Sequence, residues 1–374
     1  MLKVRTLDTS RRQDVKAWIA LPYRLYANDP LWVPQMVDEA KMQTSRSKNP
    51  FFLHSNADFL VAEQDGEVVA RLAILEHKRF NALRGTRHGF FYLFESIENF
   101  DVAEALFNTA FDWCRQHGLD TIVGPKGFLT ADGMGMLVEG FHRRPAIGIA
   151  YNPPYYHDFV QKLGFERETD FMSGYVNILD YEMPERILRL ADKAKERYGY
   201  TVRTFNSKSE LKPLVPLVIE TYNAAFADNW EFVPVTPEEG EVIGRRLLDI
   251  IDPKMIKLVW KDDKIIGFVL VYPDISAAIQ RTGGRLWPFG FIHLLREFKR
   301  TEWCNANGAG VLEQYRGRGV DAIVAAELYK TFKSGPFKYA EMVQVDEGNS
   351  KMQAEMAALG VKWDKRHRIF HRRL

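Results

Sequence analysis

The stretch Val311-Leu312-Glu313-Gln314-Tyr315-Arg316-Gly317-Arg318-Gly319-Val320-Asp321-Ala322 joins two differently patterned segments. An extended apolar run, 302–312, enters it. Apolar residues at helical spacing (Val320, Ile323, Val324, Leu328, Phe332) leave it. Between them, two glycines and two arginines occupy 316–319. A strand, a glycine-rich turn and a helix N-terminus together form an anion site, because the first N–H groups of a helix lack intrahelical acceptors and its dipole favours negative charge. Gly317 and Gly319 let the backbone approach a phosphate without a Cβ in the way. Arg316 and Arg318 supply charge of the right sign. Val311, Leu312, Arg316, Gly317, Arg318, Gly319 and Val320 are therefore candidate ligand-binding residues, for which an exposed glycine turn is the plain structural alternative.

Downstream, a strand over 338–345 runs into Asp346-Glu347-Gly348-Asn349-Ser350 and a last helix ending Ala358-Leu359-Gly360, and 368–371 reads as a terminal strand. Upstream, 256–272 is a hairpin turning at 261–264, preceded by a strand over 201–205 and two helices. Thr236 caps the second of these, with Pro237 at its first position and Glu239 three residues on. The first half repeats the plan. A strand (3–7), a helix (10–21) and a proline-rich loop lead to a hairpin over 58–75, which turns at Asp65-Gly66. A strand over 88–96, a helix over 101–117 with Asp101 and Glu104 as a capping box, and a strand over 119–123 follow. The matching hairpins point to an internal duplication.

The loop resembles the acyl-CoA pyrophosphate loop of the GNAT acetyltransferase superfamily, which reads Arg or Gln, two residues, Gly, one residue, Gly or Ala. Arg316 and Gly319 match, and Asp321 departs from the small residue at the third position. The order of elements and the two Leu-Gly helix ends, Leu163-Gly164 and Leu359-Gly360, are similar to that family as well. The fold class that the resemblance implies is α/β (α+β). Two GNAT-like lobes are expected, 1–180 and 181–374, each a mixed, mostly antiparallel sheet flanked by helices.

Acetyl-CoA or a longer acyl-CoA would bind the second lobe as co-substrate, with Asn349 facing its arm. The first lobe has Glu95-Ser96-Ile97-Glu98-Asn99-Phe100-Asp101 in the place of the loop, without glycine and rich in carboxylates, and is expected not to hold CoA. The implied reaction is acyl transfer to an amine. Glu302 and Asp346 are the candidate acid/base residues. Asp228, Trp230, Tyr151, Asn152 and Tyr155 are candidates for the acceptor. The tyrosine that often protonates the thiolate in this family is replaced by Met356, and by Val160 in the first lobe. A non-catalytic CoA-sensing or partner-binding protein and an aminoacyl-tRNA-dependent transferase are the other readings.

An insertion over 273–299 is apolar and aromatic with arginines around it. It reads as packing between lobes, as a cover over a long apolar ligand in the acceptor site, or as a peripheral membrane contact. A lipid-like amine, such as a sphingoid base or an acylated amino acid, joins small-molecule amines as an expected acceptor. The 374 residues suffice for two domains, and 46% hydrophobic with 27% charged residues is a globular composition. Net charge is +2, with no long basic run before 365–373, so nucleic acid is not an expected partner. Cys114 and Cys304 form no CxxC pair, which argues against a disulfide framework and a zinc site, and no metal is expected. The start, Met-Leu-Lys-Val-Arg-Thr, lacks a secretory apolar core and no apolar run approaches a membrane span, so the chain reads as cytoplasmic.

Overall fold

A computed structural model describes residues 1–374, the side chain of Asn307 excepted. In chain order the elements are β1 (Leu2–Thr6), α1 (Arg12–Leu25), α2 (Val37–Thr44), β2 (Asn56–Gln64), β3 (Glu67–Glu76), α3 (Lys78–Arg84), β4 (His88–Ser96), α4 (Phe100–Gln116), β5 (Thr121–Gly124), β6 (Met136–Glu139), α5 (Tyr155–Lys162) and β7 (Glu166–Asn177). Then come α6 (Glu185–Tyr198), β8 (Thr201–Thr204), α7 (Lys208–Leu211), α8 (Val215–Ala225), α9 (Pro237–Ile250), β9 (Lys257–Lys261), β10 (Lys264–Pro273), α10 (Ser276–Thr282), α11 (Gly290–Phe298), β11 (Trp303–Val311), α12 (Val320–Lys333), β12 (Tyr339–Asp346), α13 (Ser350–Ala358) and β13 (Lys362–Arg373).

The chain divides into two units. The first comprises Met1–Met172, Ser276–Leu294 and Asp364–Leu374, and the second Ser173–Ile275 and Leu295–Trp363. Most of the insertion thus groups with the first unit. The boundaries fall inside β7, between β10 and α10, inside α11 and inside β13, rather than at the single expected division at 180.

In the first unit β1, β2, β3 and β4 pair antiparallel in sequence order. β5 then pairs parallel with β4, and β13 antiparallel with β5. The core fills one face with aromatics: Phe91, Phe107 and Phe165 pack ring on ring at 5.3–5.5 Å, beneath the apolar stripe of α4. α4 starts at Phe100, so its cap is Asn99, whose side chain accepts the Asp101 N–H at 3.0 Å. That replaces the Asp101–Glu104 box. α1 runs on through Pro22 to Leu25, past its expected end.

β13 departs most from its sequence. Lys365 and His367 are buried, and Arg366 and Arg368 bond the fully buried Asp170 carboxylate at 2.8–3.0 Å. Burial alone would raise the pKa of Asp170, but the bonds from Arg368 and Arg366 outweigh it and hold the group below its ordinary value. The basic tail is therefore a sheet strand of twelve residues.

In the second unit β8, β9, β10 and β11 pair antiparallel, and β12 pairs parallel with β11. α12 lies on β10, where a Cβ at Gly267 would stand 3.3 Å from Val320 and Val324. The α9 cap is the expected box, Thr236 accepting the Glu239 N–H and Glu239 the Thr236 N–H. Among the described residues no helix is long and apolar enough to cross a membrane.

Candidate functional site

Among the described residues, parallel pairing of β11 with β12 runs from Trp303↔Tyr339 to Ala306↔Met342. Both strands continue, to Val311 and Asp346, and among the described residues they are not paired with each other from Gly308 onward. Two irregularities accompany the separation. The β10–β11 register shifts between Leu270 and Val271, and Gln344 in β12 has φ 52° with its N–H on Ser173 Oγ at 3.0 Å. A bulge twists and re-aims a strand.

The Leu312 N–H returns to Ile266 O at 3.0 Å. By alternation, Val311 and Ala309 turn their backbone groups to the other edge, where the β12 partner is missing. This free strand edge ends at the glycine loop. There Gly319 is the N-cap of α12, with φ +86° and no side-chain cap. The first N–H bonded within the helix is that of Ile323, to Gly319 O, which leaves the Val320, Asp321 and Ala322 N–H groups as the helix's unshared donors.

The loop residues take different parts. Arg316 does not point at a ligand: Nε donates to Val311 O at 3.2 Å and a terminal nitrogen donates to Ala225 O at 2.8 Å. It ties the loop to the end of α8, where Gly310 also packs, since a Cβ there would sit 3.2 Å from the Ala225 Cβ. Arg318 stays exposed. Asp321, the residue that breaks the motif, accepts the Gly317 N–H at 2.8 Å. Its carboxylate thus sits on one of the loop's own donors. At Gly319 a Cβ would meet the Ala194 Cβ of α6 at 2.4 Å, so packing and φ both require glycine. Around Gly317 (φ +69°) nothing lies within 4 Å.

Asp228 and Trp230 follow Ala225 closely, and so lie in the chain just beyond the α8 end that Arg316 holds. Asp346 ends β12 on the separated side, with Oδ1 on the Gly348 N–H at 2.8 Å. Glu302 precedes the opposite end of β11, about 30 Å of strand from Val311, and pairs with Lys338 at 2.6 Å. Asn349 caps α13 through the Met352 N–H at 3.0 Å. Burial raises the pKa of Cys304, which is that of a core thiol rather than a nucleophile. Met356, where the family often has its tyrosine, is buried.

The other three candidates lie in the first unit and close it. The Asn152 side chain bonds both backbone groups of Leu137, at 2.8 and 3.1 Å, as a neighbouring strand would. Tyr155 donates to Ser96 O at 2.8 Å, and Tyr151 to Asp29 at 2.8 Å. Sequence reasoning missed the group around them. Tyr156 accepts the Ser96 N–H at 2.7 Å, and both Tyr26 and Tyr156 donate to Glu95, at 2.7 and 2.9 Å. Burial raises the pKa of Glu95 despite the nearby Arg71. Tyrosines spaced far apart in the chain carry no signal of such a cluster.

No protein-family model matches the chain. It is 26% identical over 370 residues to Protein YghO of Escherichia coli (strain K12), covering 97% of this chain and 94% of that protein. It is 29% identical over 287 residues to the bacterial ceramide synthase of Caulobacter vibrioides, covering 76% of this chain and 74% of that protein. Among solved structures, a tandem GNAT protein from the clavulanic acid biosynthesis pathway superposes with a TM-score of 0.58 at 13% identity, over 100% of this chain and 98% of that one. The fold is that of a two-lobed, GNAT-like protein.

Proposed function

We propose that this protein is an acyl-CoA-dependent N-acyltransferase, that its second unit holds the thioester, and that the acceptor is a long-chain amine of the sphingoid-base type. The observation that carries the reading is the separation of β11 from β12 beyond Ala306 and Met342, ending at a helix N-terminus capped by glycine. The first-turn N–H groups of α12 suit a pyrophosphate. On the β11 edge away from β10, the Ala309 backbone and the Val311 N–H suit an amide-bearing arm and a polarised thioester carbonyl, while Arg316 holds the Val311 carbonyl. The similarity to a protein named as a ceramide synthase supports a long-chain amine as acceptor and an N-acyl amide as product.

In the reaction the uncharged amine attacks the thioester carbonyl carbon. The C–N bond forms, the C–S bond breaks, and the electron pair leaves on sulfur. One amine proton is lost and the CoA thiolate takes one, giving an amide and free thiol. Asp346, at the separated end of β12, is the carboxylate proposed to take the amine proton through water. With Met356 buried in the place of a tyrosine, the thiolate is protonated by solvent.

The test is purified protein with acyl-CoAs of graded chain length and sphinganine, read by product mass and free thiol. The Gly317→Asp variant adds a second carboxylate where there is room for it. Product with the wild type, lost in Gly317→Asp but kept in Gly317→Asn, is expected. Acyl-CoA binding without product from any amine would favour the non-catalytic reading, which the Asp321 carboxylate on the Gly317 N–H also favours. No acyl-CoA binding at all would overturn the proposal.

A further inference from the structure

The insertion carries an observation that acyl transfer does not use. Large apolar side chains stand exposed over a short stretch: Trp287 is 76% exposed, Phe289 71% and Leu295 56%, with Phe291 and Ile292 beside them. Of the twelve large apolar side chains exposed among the described residues, five fall within 287–295. The Trp287 and Phe291 rings pack at 5.6 Å, so the group is contiguous. In α11, Phe291, Ile292 and Leu295 share one face by helical spacing, while Leu294 is buried on the other. Arg285, Arg296, Lys299 and Arg300 flank the apolar residues and are exposed as well.

The stem of this segment is fastened. Tyr23 donates to Gly283 O at 2.8 Å, the Val37 N–H to Gly284 O at 3.0 Å, and Gln280 to the carbonyls of Pro30 and Trp32 at 2.9 and 2.7 Å. Glycine is required at 284, where a Cβ would lie 2.4 Å from Gln35 O. A fixed stem that presents aromatics at its tip is a built surface rather than a loose loop.

We infer that residues 285–300 dock on an anionic lipid surface, Trp287, Phe289 and the outer face of α11 entering the interface while the four basic side chains meet the headgroups. The commitment to a membrane rests on charge complementarity. An apolar wedge rimmed by cations matches a bilayer interface carrying negative headgroups, where each basic residue adds attraction and an aromatic ring settles at headgroup level. The inference stands apart from the acyl-transfer reading and bears on it in one way: an amine with a long chain resides in a membrane, and this surface would bring the protein to it.

The experiment is vesicle flotation of the whole protein on phosphatidylcholine alone and on phosphatidylcholine with about 30% phosphatidylglycerol. Expected is binding to the anionic vesicles at least about tenfold stronger than to the neutral ones, and weakening as salt rises from about 0.1 to about 0.5 M. Phe289→Ser with Leu295→Ser, and separately Arg296→Glu with Lys299→Glu, should each lower it by about tenfold or more. Both variants should keep the wild-type Tm, and both should acylate a short, water-soluble amine at the wild-type rate. Because flotation needs no acyl-CoA, its outcome is independent of turnover. Absence of vesicle binding by folded wild-type protein would overturn the inference. So would a dimer that the Phe289/Leu295 variant abolishes while neither protein floats, which would assign the patch to a second copy of the chain.

Discussion

The two strand-to-helix passages of this molecule, β4 into α4 and β11 into α12, share a design and differ in what meets the helix end. In the first, side chains hold two of the donors, the Asp101 and Ser96 N–H groups. Asn99 caps the helix, and the Tyr156 hydroxyl takes the Ser96 N–H. The Lys126 N–H returns to Phe91 O at 2.9 Å and rejoins the chain to β4 where the parallel pairing with β5 stops. In the second, a glycine is the cap, β12 turns aside, and one carboxylate, Asp321, touches the loop. The same geometry thus serves as packing in one half and, in the function proposed above, as an anion site in the other. The difference lies in a few side chains: two tyrosines and an asparagine against two glycines.

The largest test of this contrast is at Gly317. Gly317→Asp should weaken acyl-CoA binding by about 100-fold, roughly 3 kcal/mol, by setting a second carboxylate beside the phosphates. Gly317→Asn, which tolerates the same φ, should stay within a few-fold, as titration calorimetry would show. Gly319→Glu is a poorer probe, since Ala194 already fills that space.

Tyr156→Phe should do the reverse. It strips a partner from the Ser96 N–H and from Glu95, and should lower stability by about 2 kcal/mol with acyl-CoA affinity unchanged. Chemical denaturation and titration together read both. A Tyr156→Phe protein of normal stability that has lost acyl-CoA would exchange the roles of the two passages.

Acid should also find the first unit. Burial pushes His367 down to about 4, its Nε2 lying 2.9 Å from Ala150 O. It stays neutral when folded while the unfolded chain takes up a proton below the ordinary histidine value. Its contribution is complete above pH 6.5 and declines as pH falls from there to about 4, by about 1.4 kcal/mol per pH unit within that window. Amide exchange should show β5 and β13 losing protection across this range, and His367→Gln should flatten the slope.

The smallest effect is at the motif's odd residue. Asp321→Asn removes the charge near the proposed pyrophosphate site while keeping an oxygen for the Gly317 N–H, and should tighten acyl-CoA binding by about five-fold, close to 1 kcal/mol. Unchanged affinity would mean that this carboxylate swings clear of the ligand.

Much of the second passage could be read from residues alone, because Gly317, Gly319 and the stripe from Val320 to Phe332 are local signals. The Asp65-Gly66 turn and the Thr236 cap were legible for the same reason. β13 was not. Two of its buried positions are Lys365 and His367 rather than apolar residues, and partners of its polar side chains lie far away in sequence, at Ala150 for His367 and at Asp170 for Arg366 and Arg368. β6 was hidden too, being short and completed by the Asn152 side chain. The parts played by Arg316 and Asp321 depend on carbonyl and amide directions that a motif does not encode: Arg316, read as charge for a ligand, bonds the Val311 and Ala225 carbonyls, and Asp321, read as a departure from the motif, accepts the Gly317 N–H.

β13 has a further consequence, for biosynthesis. It is translated after every other element described, yet Thr121–Gly124 finds its antiparallel neighbour only in Phe370–Arg373, and Met136–Glu139 only in Arg366–Arg368. The first unit therefore cannot complete its sheet until residues 364–374 have emerged from the ribosome. During synthesis β5 must wait with one edge open and β6 without its strand neighbour, a window in which chaperones would be engaged. A nonsense codon at Asp364 would take away the residues that pair with β5 and β6 and so undo a sheet built far upstream in the chain.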